Sequence, residues 1–241
     1  MSWLLDSMGK KAHLVNRKPV GFLERGDVQV TIIAASTICG RIGPSLTGSP
    51  VDRGVLEKMR AATEASLLGA ETLRQGDPEM RGPEGCLLPN RIRAFITQSG
   101  DIPVAGKKIF EQGPPPIIFT SATAAAGLQH RLGDRAQVVA LPAASGGGLS
   151  LAAALGHLAQ LGAGSVLVEG GGGLNYACLR QGVVDEILLT LTPKLSGDQG
   201  AASLCGGPGP LGEPFLPLSL VSCEAEATGE VFLRYRVHKG E

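Results

Sequence analysis

Short apolar segments rich in β-branched residues alternate with helical segments along most of this 241-residue chain. The first of them, V-Q-V-T-I-I-A-A, is almost continuously apolar, as expected of a strand that is buried on both faces. Parallel strands need a crossover connection, which is usually a helix. The alternation therefore predicts an α/β fold with a mostly parallel central sheet covered on both faces. The predicted strands are 28–35, 65–69, 91–97, 116–120, 136–141 and 165–169, and the predicted helices are 50–63, 121–132, 149–162 and 173–181.

Capping signals and apolar periodicity support these helices. Ser49 is suited to cap the first helix, and Pro50 stands at the first helical position, where the fixed φ of proline is favourable. The apolar face of this helix is predicted to contain Val55, Met59 and Ala62. In the third helix a leucine stripe is predicted to face the sheet, formed by Leu151, Leu155, Leu158 and Leu161.

The last part of the chain has a different pattern. Three late strands are predicted in D-E-I-L-L-T-L-T, S-L-V-S-C-E-A-E and V-F-L-R-Y-R-V, and A-T-G-E between the last two is typical of a hairpin turn. The sheet is therefore predicted to end antiparallel. The stretch 196–217 is rich in glycine and proline and predicts a long surface loop. Residues 27–241 are predicted to form one domain, preceded by an N-terminal arm of residues 1–26 with weak patterning.

Composition excludes several classes of function. The 22 basic and 22 acidic residues balance, so no net field favours nucleic acid or an anionic membrane surface. No apolar run approaches the length of a membrane span. Five scattered cysteines, without a C-x-x-C pair or a histidine at ligand spacing, predict a reducing, cytoplasmic setting and no metal site. The opening M-S-W-L-L-D-S-M-G-K-K lacks the charge order of a signal peptide, so none is expected.

The segment with the clearest chemical meaning is S-V-L-V-E-G-G-G-G-L-N-Y-A, residues 165–177. A strand ends at Glu169, four glycines follow, and a helix is predicted to begin near Leu174. Glycines let the backbone approach a phosphate, and the first amides of a helix point free N–H donors at it. The alternatives are a plain glycine loop and, for Glu169, a solvated acid at the end of a strand. The second run, 146–148, does not follow a strand end and is interpreted as a flexible loop without a function.

Three blocks of the sequence resemble one protein family. V-E-G-G-G-G-L followed by L-R-Q-G-V-V-D-E-I-L-L-T-L-T-P-K-L-S-G looks like the C-terminal signature of the pyrimidine reductases of riboflavin biosynthesis. Residues 59–81, which contain M-R-A-A-T-E, G-A-E-T and D-P-E-M-R, and the turn S-T-I-C-G-R-I are similar to two further blocks of that family, in the same order. The resemblance spans about 28–237. It implies the family's three-layer, dihydrofolate-reductase-like fold, with antiparallel C-terminal strands.

The resemblance implies that NADPH lies across the C-terminal edge of the sheet. Its pyrophosphate would meet the glycine run and the start of the next helix, which are Gly170, Gly171, Gly172, Gly173 and Leu174. The nicotinamide side would be lined by Ala35, Leu46 and Thr72. Thr120 and Ser121 match the adenosine-ribose region and are our hypothesis for the 2′-phosphate, while Ser121 is equally suited to cap a helix.

For the substrate, the matching positions are Arg60, Met80, Arg81 and Glu169. Arg60 and Arg81 would clamp a ribose 5-phosphate, because a guanidinium fork suits phosphate oxygens; Arg60 is also consistent with a salt bridge on a helix surface. Glu169 would bond the aminopyrimidine or the ribose hydroxyls. The implied reaction is hydride transfer from NADPH to C1′ of the open imine form of 5-amino-6-(5-phosphoribosylamino)uracil or of its diamino-pyrimidinone analogue. No catalytic side chain is assigned, and the four histidines match no site position.

Three positions depart from the family pattern. Cys39 stands where the family usually has an aspartate, Ile33 where many bacterial members have a lysine, and Gly76 where an aspartate is common. These changes leave open a paralogous reductase of another heterocycle, such as dihydrofolate, and a non-catalytic nucleotide-binding protein. The H-x-E and P-C-x-x-C motifs of a zinc deaminase are absent, so a reductase-type chain alone is expected. The resemblance also implies a homodimer, with the late apolar strands as the candidate interface.

Overall fold

The structure is a computed structural model that describes residues 27–43, 46, 48–213 and 215–238, so the predicted arm of residues 1–26 lies outside the described residues. In chain order the elements are β1 Gln29–Thr37, α1 Pro50–Ala62, β2 Ala65–Gly69, α2 Ala70–Gln75, β3 Ile92–Thr97, β4 Ile117–Ser121, α3 Ala122–Leu132, β5 Gln137–Leu141, α4 Leu151–Gln160, β6 Ser165–Val168, α5 Gly172–Arg180, β7 Glu186–Thr192, β8 Leu218–Ala225 and β9 Val231–Val237. Single turns of 3₁₀ helix lie at Pro83–Gly85, Lys108–Phe110 and Gly133–Arg135.

The strands form one sheet in the order β5-β4-β3-β2-β6-β1-β7-β9-β8. The strands from β5 to β7 are all paired in parallel. β9 pairs antiparallel with β7, and β8 pairs antiparallel with β9. The predicted mostly parallel sheet with antiparallel C-terminal strands is thereby confirmed.

Helices cover both faces of this sheet. α4 and α5 lie on one face, where Leu155 and Cys178 belong to the largest cluster of buried apolar residues. α2 and α3 lie on the other face, where Leu73 and Leu128 pack against strand residues that alternate with those of the first cluster. α1 covers the same second face through Val55, nearer the middle of the sheet. The result is three layers, as the resemblance implies.

The helix starts agree with the capping residues in the sequence. Ser49 Oγ accepts hydrogen bonds from the amides of Val51 and Asp52 at 3.1 and 3.2 Å. The leucine stripe of α4 is correct as far as Leu158, which is fully buried. The prediction for Leu161 is wrong, because this residue lies beyond the end of the helix and is 49% exposed.

Two helices differ from the prediction at their starts. α2 follows β2 directly, although no separate helix is predicted there. α5 begins at Gly172 rather than near Leu174, so the second half of the glycine run is helical. The loop after β7 explains this start, because Gly206 N donates to Gly172 O at 3.2 Å and a Cβ at Gly172 would collide with the carbonyl oxygen of Ser203.

Candidate active site

A cavity of about 1230 Å³ opens at the edge of the sheet where the parallel strands end. The last residues of β1, β2 and β3 and the residue after β6 contribute to its lining, with Ala35, Gly69, Thr97 and Glu169 among them. Carboxyl ends of neighbouring parallel strands meet at one edge, and open α/β sheets bind their ligands there. The topology therefore brings together four segments that are far apart in the sequence.

The glycine run forms a tight turn at this edge. Gly170 and Gly171 have φ values of 59° and 97°, a backbone conformation that side-chain-bearing residues rarely adopt. No side chain caps α5 at Gly171, and the first amides of a helix have no acceptor within it. A Cβ at Gly171 or Gly173 would meet no atom within 4 Å, although both residues line the cavity. The turn thus offers free backbone donors and open space, as a phosphate group requires.

The long loop after β7 is tied to this turn. Asn175 in α5 is 1% exposed, and its Nδ2 donates to Leu204 O at 2.8 Å. This hydrogen bond orients the amide and leaves Asn175 Oδ1 buried without a partner. Leu204 N in turn donates to Gly40 O at 2.9 Å, in the turn after β1. The loop is therefore part of the wall around the glycine turn, not merely a surface connection.

Glu169 and Arg60 form a buried ion pair at the cavity. Arg60 Nε lies 3.0 and 3.1 Å from the two carboxylate oxygens, and Nη2 lies 2.5 Å from Oε2. Their side chains are 9% and 5% exposed. Ser66 Oγ donates to Glu169 Oε1 and accepts from Arg91 Nε and Nη2 at 2.9 and 2.7 Å. Two guanidinium groups therefore surround one carboxylate.

The charges of this network are held in place electrostatically. Burial alone would raise the pKa of Glu169, but the charge and hydrogen bonds of Arg60, the hydrogen bond from Ser66 and the charge of Arg91 together lower that pKa below its ordinary value. Burial lowers the pKa of Arg91 to about 10, which leaves it protonated at neutral pH. Glu169 is therefore not a solvated acid, and its ion pair with Arg60 is not a surface salt bridge.

Most of the predicted site residues meet at the cavity. The predicted cofactor residues that line it are Ala35, Leu46, Thr72, Gly170, Gly171, Gly172, Gly173 and Leu174. Of the predicted substrate residues, Arg60 and Glu169 line it. Four predicted residues lie outside the lining, and these are Met80, Arg81, Thr120 and Ser121.

Arg81 contacts Arg60 through its backbone. Its carbonyl oxygen accepts a hydrogen bond from Arg60 Nη1 at 3.0 Å, while its own guanidinium donates to Glu79 Oε2 and to Gln112 Oε1, each at 2.9 Å or less. Met80 is 2% exposed and belongs to the apolar cluster under α2 and α3, with a φ of 54°. Each arginine of the predicted clamp is thus bound to a carboxylate, and the role of these residues toward a phosphate stays a prediction.

Thr120 and Ser121 lie one strand away from the lining. Thr120 pairs in register with Thr97, which lines the cavity, and its buried Oγ1 has no hydrogen-bond partner. Ser121 Oγ accepts from Ala124 N at 3.3 Å and caps α3, the alternative role that the sequence suggests. Their contact with a 2′-phosphate stays a prediction.

Two features of the lining are missing from the sequence prediction. Gly147 and Gly148 reach the cavity from the loop before α4, in a turn closed by a hydrogen bond from Ala144 N to Gly148 O at 2.9 Å. Asp52 reaches it from the first turn of α1. An acidic residue in a first helical turn is common for reasons of the helix dipole alone, so the sequence carries no signal for this placement.

The two departures from the family pattern near β1 affect different surfaces. Ile33 lines the cavity, whereas Cys39 does not. Cys39 is exposed, its Sγ lies 3.2 Å from Thr37 Oγ1, and it accepts a hydrogen bond from Ser196 N at 3.3 Å. The hydrogen bond with Thr37 lowers the pKa of this thiol. The substitution at Ile33 therefore changes the cavity wall, and that at Cys39 changes how the turn holds the loop after β7.

Two absences concern the described residues only. Over residues 27–43, 46, 48–213 and 215–238, no three His, Cys, Asp or Glu side chains are placed to share a metal ion. In the same part of the chain, no helix combines the length and the apolar character needed to cross a bilayer.

The parallel sheet, with a glycine turn and a cavity at its carboxyl edge, defines an α/β protein with the arrangement that open α/β sheets use for ligand sites. The antiparallel C-terminal strands extend this sheet in the way that the resemblance implies. The sequence profile of the RibD C-terminal domain matches residues 30–232, and the chain belongs to that family. The family resemblance stated from the sequence is confirmed.

Relatives of known name support the assignment. The chain is 29% identical over 199 residues to the riboflavin biosynthesis protein RibD of Chlamydia pneumoniae, covering 79% of this chain but 52%, about half, of that protein. It is 26% identical to the 2,5-diamino-6-ribosylamino-4(3H)-pyrimidinone 5′-phosphate reductase of Methanothermobacter thermautotrophicus, over 75% of this chain and 84% of that one. A pyrimidine reductase-like protein from Corynebacterium diphtheriae has a similar fold, with a TM-score of 0.72 at 20% identity over 88% of this chain and 93% of that one.

Proposed function

We propose that this chain is an NADPH-dependent reductase that converts a phosphoribosylamino-pyrimidine into its ribityl form in riboflavin biosynthesis. The observation that carries the proposal is the glycine turn 170–173, which opens onto the same cavity as the buried Arg60–Glu169 pair. Membership of the RibD C-terminal domain family and the names of the two sequence relatives support it.

The glycine end of the cavity fits the diphosphate of NADPH. Gly171 and Gly173 leave open space where side chains would stand, so the diphosphate can approach the backbone closely. The first amides of α5 supply donors, and the positive end of the helix dipole favours the negative charge. A side chain at Gly171 would enter that space, and its φ of 97° would strain any other residue.

We place the nicotinamide and the 2′-phosphate of the cofactor at different parts of the sheet edge. Ala35, Leu46 and Thr72 line the side where we place the nicotinamide. Thr120, whose buried hydroxyl has no partner, and Ser121 are the last two residues of β4, where we place the 2′-phosphate. A phosphate there would satisfy the orphaned hydroxyl, and an unsatisfied buried polar group is otherwise costly.

The charged network suits an anionic substrate. A ribose 5-phosphate beside Arg60 would meet the guanidinium of Arg60, while the buried Arg91, linked to Glu169 through Ser66, would add a second positive charge behind the cavity wall. Arg81 and Met80 would complete this side, since the backbone of Arg81 contacts Arg60 and Met80 anchors the segment in the core. Glu169 is ionised at neutral pH, so it can accept hydrogen bonds from ribose hydroxyls or amino groups.

The chemistry then requires positioning more than a reactive side chain. Bound NADPH would supply the hydride for C1′ of the open imine, and a proton from solvent or from the substrate would balance the charge at its nitrogen. The residues of this chain would bring C1′ to roughly 3 to 3.5 Å from the donor carbon and exclude other water. Ile33, Ala34 and Leu56 provide an apolar wall for that purpose.

A homodimer in the cytoplasm is part of the same proposal. Leu218, Leu220 and Val221 on the edge strand β8 are 41%, 56% and 44% exposed, and a second copy would cover them. Exposed apolar groups of this kind mark interaction surfaces when they are contiguous. All five cysteines are free thiols, as a reducing compartment would keep them.

Reduction of another heterocycle, such as dihydrofolate, is a second candidate. The observation that favours it is Ile33, an apolar residue in the cavity wall where many family members have a lysine. The third candidate is a non-catalytic nucleotide-binding protein that has kept the glycine turn but lost the activity.

Two measurements separate these functions. Calorimetric titration with NADPH tests the cofactor site, and Gly171→Ala should weaken binding by about tenfold or more, because it removes at least one phosphate contact. Gly147→Ala is the matched control, since Gly147 also has a positive φ of 88° and lines the cavity.

Steady-state assays with the two pyrimidine phosphates and with dihydrofolate test the reaction. Turnover of dihydrofolate alone would favour the second candidate, and binding of NADPH without turnover of any of them the third.

A further inference from the structure

Asp52 lies in the first turn of α1 and lines the cavity beside β1. The side chain of Thr190 on β7 lies close enough to the Asp52 carboxylate to lower its pKa. Thr190 also pairs in register with Ala35 on β1. Asp52 therefore lies near the strand position where we place the nicotinamide.

The chain leaves room for this carboxylate. Gly48 lines the same part of the cavity, and a Cβ added to it would collide with the Oδ2 and Cγ atoms of Asp52. Ser49 caps α1 and so determines where the helix begins. The carboxylate occupies the space beside Gly48 that a side chain at this position would otherwise fill.

The same cavity is also lined by apolar residues of β1, of the loop after it and of α1, which are Ile33, Ala34, Ala35, Leu46 and Leu56. Arg53 also lines the cavity, but its side chain is 69% exposed and lies 3.3 Å from Glu57. Glu230 faces Asp52 from the turn before β9, with its carboxylate on the amide of Ser49 at 2.7 Å. Burial, together with the charge of Glu230, raises the pKa of Asp52 against the hydrogen bond of Thr190 and the charge of Arg53.

An ionised carboxylate only accepts hydrogen bonds, and two N–H donors side by side match its two oxygens best. A 2-amino-pyrimidin-4(3H)-one ring presents such a pair, the 2-amino group and N3–H. Uracil has a carbonyl at position 2, so its edge would place one acceptor against another. A single carboxylate can therefore distinguish the two rings.

We infer that Asp52 is a specificity-determining residue that binds the 2-amino edge of the pyrimidine and selects the diamino-pyrimidinone phosphate over the uracil phosphate. The inference rests on the proposed function and deepens it by naming the substrate of the same cavity. Asp52 discriminates twice, because the preferred ring gains a bidentate contact and the other ring leaves acceptors unpaired.

The test is the ratio of kcat/KM for the two pyrimidine phosphates. The unmodified protein should favour the diamino-pyrimidinone by at least about tenfold, as expected for one unsatisfied polar contact. Asp52→Asn should lower this ratio by about tenfold or invert it, because an amide pairs one acceptor and one donor with the N3–H and C2 carbonyl of uracil. Glu57→Gln removes a carboxylate from the same helix and should leave the ratio unchanged.

The outcomes separate this inference from the proposed function. A protein that reduces neither pyrimidine contradicts the proposed function; equilibrium titration of the two phosphates, without cofactor, then still tests whether Asp52 distinguishes them. A protein that reduces both equally, or prefers the uracil, overturns the role of Asp52 and leaves the reductase intact. The same holds if Asp52→Asn folds and keeps the original ratio.

The unmodified protein also provides a test that needs no variant. Selection requires an ionised Asp52, whose pKa lies above its ordinary value of 3.8. The preference should be complete above that raised pKa and should fall as the pH is lowered through it. A ratio that stays constant between about pH 4 and pH 8 would overturn the inference.

Discussion

The parallel part of the sheet and its antiparallel end each contain a bidentate arginine–glutamate pair, but in different settings. In the parallel part, Arg60 on α1 meets Glu169 after the central strand β6, and Ser66 links the pair to Arg91. At the antiparallel end, Arg234 on β9 lies 2.8 to 3.0 Å from both oxygens of Glu186 on the adjacent β7. The first pair is 9% and 5% exposed, and the second is 13% exposed on each side.

The difference lies in what each pair holds together. Glu186 and Arg234 are on neighbouring strands and add to a ladder that the backbone already forms. Glu169 pairs with Arg60 from α1 and is linked through Ser66 to Arg91, the residue before β3. A buried carboxylate shared in this way by two cations is costly to remove. The first pair thus connects distant segments beside the cavity, and the second reinforces the pairing of two adjacent strands.

The largest expected effect comes from removing the shared carboxylate. Glu169→Gln leaves two buried guanidinium groups without their counter-charge, so the free energy of unfolding should fall by about 3–5 kcal/mol. Glu186→Gln, the matched change at the other end, should cost no more than about 2 kcal/mol. Urea denaturation of both variants checks this, and equal losses would remove the distinction between the two pairs.

The pH dependence of the same variant sharpens the comparison. The pKa of Glu169 in the folded protein lies below its ordinary value of 4.5, so its stabilisation is present above pH 4.5 and is lost as the pH falls through the lowered value. The stability difference between the unmodified protein and Glu169→Gln should therefore be constant near neutral pH and shrink in acid. Denaturation curves measured from neutral pH down to the acid range would show this, and a difference that grows in acid would contradict it.

A smaller effect is expected inside the glycine turn. Gly172→Ala places a Cβ against the carbonyl oxygen of Ser203, and overpacking of this kind typically costs about 1–3 kcal/mol. Gly173→Ala, one residue later, meets open space and should be neutral or slightly stabilising, because alanine favours helix. Thermal unfolding of the pair measures the difference. Similar losses for both would mean that the loop after β7 does not hold the turn.

The smallest effect on stability is expected at the antiparallel end. Leu220 is 56% exposed on β8, so Leu220→Lys should change the free energy of unfolding by no more than about 0.5 kcal/mol. Light scattering should nevertheless show a change from dimer to monomer, since a lysine would be buried in the proposed interface. An unmodified protein that is already monomeric, or a variant that stays dimeric, would remove this surface from the proposal.

Most of the fold could be predicted because its signals are local. The apolar segments, Ser49 as a cap and the A-T-G-E hairpin all report on a few neighbouring residues, and the structure follows them. The two errors have different origins. Leu161 continues the leucine spacing after the helix has ended, and the start of α5 depends on a distant loop rather than on its own residues.

Without the family resemblance, the candidate site was predictable only where a motif is contiguous. The glycine turn is visible in the sequence because strand end, glycines and helix start follow one another. Arg91 and Asp52 carry no such signal: Arg91 reaches Glu169 through Ser66, which is 103 residues from that glutamate. Met80, Arg81, Thr120 and Ser121, which the resemblance implies, lie behind or beside the lining, and the sequence alone could not indicate their orientation.

By itself, the sequence determined the α/β class, the order of strands and helices, and the glycine turn between β6 and α5, because each depends on interactions between residues close along the chain. The tertiary structure decided which charges lie near Glu169 and that Asp52 lines the same cavity. Both depend on the strand order β2-β6-β1-β7, which puts Ser66 beside Glu169 and Thr190 beside Ala35. Pairing between distant strands is set by the packing of the whole sheet, and no short stretch of sequence contains it.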